Sequence, residues 1–240
     1  FDGSISTATK KVGDIEWMLA DILHSQPLVI NYGARSGFSV ANPDLRFIVG
    51  TNGGFLHMFG DNDGQEDWAF FPKELAPILI QRFDNPLSAV HVYGIDTTPV
   101  TYIKDNDNDG TIETGDKVWA YFGLRRGGRM LYGLDLSNPD SPAYLWGIDS
   151  TSTGFSELGQ TWSTPVITHI PGYRDAKGVP KPVLIIGAGY DVNKDDTGVA
   201  TTDSMGRGVF IIDAATGEHV WSVTPGSNTA KNLQETDLQH

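Results

Sequence analysis

Gly208-Val209-Phe210-Ile211-Ile212-Asp213-Ala214-Ala215-Thr216-Gly217-Glu218-His219-Val220-Trp221-Ser222 decides the fold. An apolar, β-branched run leads into a polar turn, and a second run leaves it carrying a tryptophan. Asp213 and Thr216 have side chains suited to hydrogen-bonding the turn, and Gly217 supplies a position with positive φ. Trp221 then docks the sheet against its neighbour, which makes it a core residue.

Working outward, the same order of runs recurs. Pro165-Val166-Ile167-Thr168 and Pro182-Val183-Leu184-Ile185-Ile186-Gly187 precede the quoted stretch. Pro27-Leu28-Val29-Ile30, Arg46–Gly50, Gly54–Phe59 and Asp67–Phe70 with Trp68 form one earlier set. Pro99–Tyr102, Lys117–Gly123, Arg129–Asp135 and Tyr144–Gly147 with Trp146 form another. Proline at the first position of each opening strand is where its missing N–H does least harm. Repeated four-stranded units whose apolar faces are buried only against their neighbours are the pattern of propeller blades.

The expected fold is therefore all-β: a partial β-propeller of three four-stranded antiparallel blades, with blade-like units at about 24–72, 96–149 and 162–225. Residues 1–240 are read as a fragment of one propeller domain, because a closed ring takes about 4 to 8 blades. Residues 226–240 are read as leading to a further blade. Pro72–Phe83 is expected to form a short connector helix. A β-sandwich of independent hairpin pairs is the competing architecture, and the tryptophan recurring at one place in each unit argues against it.

Composition agrees. The 240 residues include 28 Gly and 13 Pro, which favour short strands and turns over helices. Seventeen basic residues against 30 acidic ones give a net charge of −13, which argues against nucleic acid or an anionic lipid surface as partner. With no cysteine, disulfides, thiolate metal sites and a thiol nucleophile are excluded. No apolar run approaches the roughly 18 residues of a membrane-spanning helix, so no transmembrane segment is expected. Phe1 in place of an initiator Met reads as a processed or excised piece.

Asp105-Asn106-Asp107-Asn108-Asp109-Gly110-Thr111-Ile112-Glu113-Thr114-Gly115-Asp116 carries chemistry of its own. In a twelve-residue calcium loop, oxygen ligands fall at positions 1, 3, 5, 7, 9 and 12, with Gly at 6 for the sharp turn. Those positions are Asp105, Asp107, Asp109, Thr111, Glu113 and Asp116, and Gly110 is in place. Asp116 stands where such loops usually have Glu, so its shorter arm would ligate with one oxygen or draw the strand inward. β-Rich runs flank the loop, so Ca2+ bound there would staple a hairpin. Asp61–Asp67 has its Gly too early for this pattern and reads as a blade turn. Asp191–Asp196 has Asp where Gly belongs and reads as a solvated loop.

Other chemistry is sparse. His24, His57, His91, His169, His219 and His240 form no metal-binding pair, and no nucleophile elbow or phosphate loop occurs. Arg125-Arg126-Gly127-Gly128-Arg129 reads as a solvated basic loop. No catalytic or organic cofactor-binding residues are expected.

Two resemblances follow. Asp213-Ala214-Ala215-Thr216-Gly217-Glu218-His219-Val220-Trp221 resembles the repeat of quinoprotein-like propellers. Gly50–Phe59, Trp68–Pro72, His91–Asp96 and Gly127–Asp135, in that order, resemble the C-terminal propeller of PilY-type type IV pilus proteins over roughly residues 14–240. The second resemblance implies a calcium-binding, non-enzymatic propeller module of a pilus tip protein. Such a module would act in pilus biogenesis, in control of extension and retraction, and in surface adhesion. It implies pilin or minor pilins and a host or abiotic surface as partners. The implied location is the fimbrium or pilus tip, the cell surface or outer membrane, and the periplasm in transit. A fragment of a PQQ-dependent quinoprotein dehydrogenase and an envelope-assembly scaffold are the alternatives.

Overall fold

In the computed structural model, the described residues are 19–84, 91–195 and 201–225. The expected tail at 226–240 and His240 lie outside them. The strands are β1 (Leu28–Asn31), β2 (Leu45–Gly50), β3 (Leu56–Gly60), β4 (Glu66–Phe70), β5 (Val100–Lys104), β6 (Lys117–Gly123), β7 (Leu131–Asp135), β8 (Ala143–Ile148), β9 (Val166–Arg174), β10 (Pro180–Gly187), β11 (Val209–Asp213) and β12 (His219–Val223). They form three four-stranded sheets, each taking its strands in sequence order. The all-β architecture of three four-stranded antiparallel sheets read from the sequence is the one observed. Pro27, Pro99 and Pro165 each stand immediately before the first strand of a sheet, where no ladder hydrogen bond is given up.

The helix α1 (Ala76–Asp84) follows a single 3-10 turn at Lys73–Leu75, slightly later than the expected Pro72 start. Pro77 in its first turn needs no donor there. Arg82 donates to the carbonyls of Asn52 (2.5 Å) and Val92 (3.2 Å), which ties the helix to neighbouring loops.

The first and third sheets share one hairpin design. The pairing of β3 with β4 shifts register between Met58 and Phe59, and that of β11 with β12 shifts between Ile211 and Ile212. In both, a bulge sits just before the turn, so Trp68 opposite Met58 and Trp221 opposite Ile211 hold equivalent places.

The chain divides into two compact units, Phe1–Ala120 with Leu134–Tyr144, and Tyr121–Gly133 with Leu145–His240. In the first unit, the Tyr32 hydroxyl donates to the Leu136 carbonyl at 2.8 Å and the Trp68 indole N–H to the Pro139 carbonyl at 2.8 Å. The first bond starts just beyond β1 and the second on β4, and both end in the turn after β7. In the second unit, the Tyr121 hydroxyl (2.9 Å) and the Trp146 indole N–H (3.1 Å) both donate to the Ala214 carbonyl, in the turn after β11. Gly217 in that turn has φ of 73°, and a Cβ there would sit 2.8 Å from the Trp146 ring. The glycine of the repeat therefore serves the preceding sheet's tryptophan as well as its own turn.

Trp68 and Trp146 are core residues as expected, 1% and 6% exposed. Trp221 is not: it is 38% exposed. The expectation that it is core is corrected, because among the described residues no sheet lies beyond β12 to cover it.

Candidate metal centre

The acidic loop joins β5 to β6, two strands, as the flanking β-rich runs predict. Gly110 takes φ of 85° and Asn108 φ of 60°, the left-handed turn residues that fold the loop back on itself. Asp105 caps the turn with both oxygens, accepting from the backbone N–H of Asn108 (2.7 Å) and of Gly110 (2.8 Å). Asp109 accepts from the Thr111 N–H at 2.7 Å. Asp116 closes the base, one oxygen on the Asn106 N–H (3.0 Å) and the other on the Glu113 N–H (3.0 Å).

Asp105, Asp107 and Asp109 come together: each offers a carboxylate oxygen, and these atoms lie within 4.8 Å of one another. Among the described residues no other such group of acidic or histidine side chains occurs. Glu113 feels the cluster, since the charges of Asp107 and Asp109 push its carboxyl above the ordinary glutamate range. Asp107 is pushed up through its hydrogen bond with Asp105. Asp105 itself is held low, first by the Gly110 N–H, and Asp116 is held low by the Glu113 and Asn106 N–H groups. The Thr111 hydroxyl accepts weakly from Ala34 at 3.4 Å. The six residues singled out in the sequence thus divide: Asp105, Asp107 and Asp109 cluster, Glu113 adjoins them electrostatically, and Asp116 and Thr111 hold the loop's base and flank.

The loop is anchored within its unit. Ile112 is buried, and its N–H donates to the Tyr32 carbonyl at 2.9 Å. Gly33 approaches so closely that a Cβ there would lie 2.1 Å from the Gly110 carbonyl oxygen.

No protein-family model matches the chain. The type IV pilus biogenesis factor PilY1 of Pseudomonas aeruginosa strain UCBPP-PA14 is 30% identical over 218 residues, 81% of this chain and 17% of that protein. A PilY1 homolog of Xylella fastidiosa strain Temecula1 is 29% identical over 176 residues, 63% of this chain and 13% of that protein. The crystal structure of the Pseudomonas aeruginosa PilY1 C-terminal domain matches with a TM-score of 0.50 and 25% identity, over 83% of this chain and 34% of that one. The PilY-type resemblance read from the sequence is supported by all three. The chain spans less than a fifth of the length of these PilY1 relatives.

Two features of this PilY-like chain depart from the sequence reading. Asp191, expected in a solvated loop, is buried and accepts from the Asn193, Ser204 and Met205 N–H groups and the Ser204 hydroxyl. It is a loop clip, and only the fold shows that Ser204 returns to it. The Arg125–Arg129 stretch is also not simply solvated. The Arg125 and Arg126 guanidinium groups lie 4.6 and 5.1 Å from the Trp162 ring, and Arg126 pairs with Asp195 at 2.7 Å. Trp162 stacks on Tyr190 at 4.7 Å. Arg125 adopts φ of 52°, unusual for a side chain of its size. A run of two arginines before two glycines carried no signal for that aromatic partner.

Proposed function

We propose that this chain is a calcium-binding module of a type IV pilus biogenesis protein, acting without catalysis at the pilus or cell surface. The observation that carries the calcium reading is the convergence of Asp105, Asp107 and Asp109 within 4.8 Å on a loop that has Gly110 at its turn. Three carboxylates that close repel one another, and a hard divalent cation with oxygen ligands relieves that repulsion. Asp105, Asp107 and Asp109 would hold the ion, with Thr111, Glu113 and Asp116 completing the oxygen set. The pilus reading is supported by the similarity to the PilY1 proteins, which are type IV pilus biogenesis factors.

In this reading the cation sets the stiffness of a hairpin that already rests on the first sheet through Ile112. Pilins or minor pilins, and a host or abiotic surface, are the partners, with the fimbrium tip or cell surface as the working place and the periplasm as the route to it. Calcium-dependent stiffening then biases pilus extension against retraction.

The test uses the full-length protein, purified for calcorimetry with calcium and expressed in a strain deleted for its gene. Calcium titration of wild type should give saturable heat that Asp105→Ala and Asp107→Ala abolish. The same variants should change surface piliation and twitching at normal protein level. Absence of calcium heat in wild type overturns the metal reading, and unchanged piliation in the deletion strain overturns the pilus reading.

A further inference from the structure

Arg125 and Arg126, in the 3-10 turn after β6, bring two like charges onto one ring. Their guanidinium carbons lie 4.6 and 5.1 Å from the centre of Trp162, just before β9, and that of Arg126 lies 5.6 Å from the centre of Tyr190, just after β10. All four residues belong to the second unit. Gathering two cations costs Coulomb energy, and Arg125 adds backbone strain at φ of 52°. Strain of that kind persists only where the surroundings over-determine it, and it gathers at ligand clamps. The surroundings here are tightly knit: the Gln160 side chain donates to the Arg126 carbonyl at 3.3 Å and accepts from the Trp162 indole N–H at 3.1 Å.

The chemistry the stack accepts is visible at Asp195. Its two oxygens accept from Arg126 at 2.7 and 3.1 Å, and one of them also accepts from the Tyr190 hydroxyl at 2.8 Å. The Asp195 side chain is 43% exposed, so a second carboxylate arriving from solvent can exchange with it. A guanidinium lying over a ring keeps its N–H donors in its own plane, where a carboxylate engages two at once. We infer that the Arg125–Arg126 pair on Trp162 is a docking site for a carboxylate-bearing segment of a partner protein, with Asp195 as its internal competitor. Charge complementarity supports this. The chain carries −13 overall, but screening over roughly 8 to 10 Å gives the nearby arginines more weight than distant acidic groups. An acidic polysaccharide is the competing ligand. A sugar ring needs an open aromatic face to lie on, and Tyr190 and two guanidinium groups already lie against Trp162. The inference stands on this stack and is independent of the acidic loop.

Fluorescence anisotropy of a labelled hexaglutamate peptide, titrated with the full-length protein, tests this. The expected result is saturable binding that weakens with added salt and is reversed by unlabelled hexaglutamate but not by hexaglutamine. Asp195→Asn should tighten it severalfold. Arg125→Gly should weaken it at least tenfold while melting at or above the wild-type temperature, because glycine takes positive φ without strain. Absence of hexaglutamate binding in wild type overturns the inference, as does unchanged binding in Arg125→Gly or weaker binding in Asp195→Asn. Arg125→Gly melting several degrees below wild type also overturns it, since the strained turn would then serve the fold. Displacement of the label by polygalacturonate at a tenth of the carboxylate concentration that hexaglutamate needs overturns it in favour of the polysaccharide.

Discussion

The backbone N–H of Ile112 donates to the carbonyl of Tyr32 at 2.9 Å, so the eighth residue of the acidic loop is bonded to the chain just beyond β1. Ile112 is buried in the same unit. Shortening it in Ile112→Ala should cost about 2 to 5 kcal/mol, the range for truncating a buried isoleucine. Urea unfolding with and without calcium checks this. Saturating calcium at a hundred times its dissociation constant should return about 2.7 kcal/mol to wild type. The variant should bind calcium more weakly and so regain less at the same calcium concentration, because its loop keeps the main-chain bond to Tyr32 but loses the buried side chain.

Calcium binding should weaken on acidification, in a definite order. Glu113 and Asp107 have raised proton affinities, so they take up protons first as pH falls toward and just above the ordinary carboxylate values of 4.5 and 3.8. Without metal the sign reverses: a raised carboxyl contributes stability at low pH that is lost as pH rises through its folded value. Calcium titrations at a series of pH values check the first statement. Melting curves in chelator check the second, and Glu113→Gln should flatten both trends.

The two tryptophan bonds should not be equally costly to remove. In Trp146→Phe the Ala214 carbonyl keeps the Tyr121 hydroxyl at 2.9 Å. The loss should be about 1 kcal/mol of hydrogen bonding plus the cost of a smaller ring. In Trp68→Phe the buried Pro139 carbonyl has no second donor among the described residues, and the penalty should lie toward about 3 kcal/mol. Equal losses in chemical denaturation would contradict this account.

The glycines of equivalent turns give a second contrast. Gly64→Ala meets open space and should cost only the left-handed backbone penalty of about 1 to 2 kcal/mol. Gly217→Ala pays that penalty and also drives a methyl group against the Trp146 ring, so it should be clearly the more destabilising.

Asp213 should contribute to an acid-labile fold. Burial alone would raise its proton affinity, but the Lys181 ammonium and the Tyr173 hydroxyl at 2.6 Å hold it below the usual aspartate value of 3.8. A depressed carboxyl contributes stability that is complete above its unfolded value and is lost as pH falls through the folded one. Stability should therefore drop below about pH 4. Asp213→Asn, measured by denaturant midpoint against pH, should remove part of that acid limb.

The sheets were legible because their signals are local. Proline before each opening strand, alternating apolar runs, and Asp213 with Gly217 at a turn all lie within a few residues of what they determine. The acidic loop was legible for the same reason: the Asp105, Asp107 and Asp109 clustering is set by spacing and by Gly110. Partners distant in sequence were not legible. Nothing near Arg125 announces Trp162 or Tyr190, and Asp191 looks solvated until Ser204 folds back onto it. The exposure of Trp221 was missed for a different reason, since a motif names the anchor residue but not whether its seat is supplied.

The approach of Gly33 to the Gly110 carbonyl, where a Cβ would sit 2.1 Å away, leaves main chain against main chain with no side chain between. Load applied at the tip of the Asp-rich loop therefore passes straight into the end of β1, since there is no rotamer to swing aside and absorb it. A tug on that tip is felt by a strand whose hydrogen bonds to β2 share the strain.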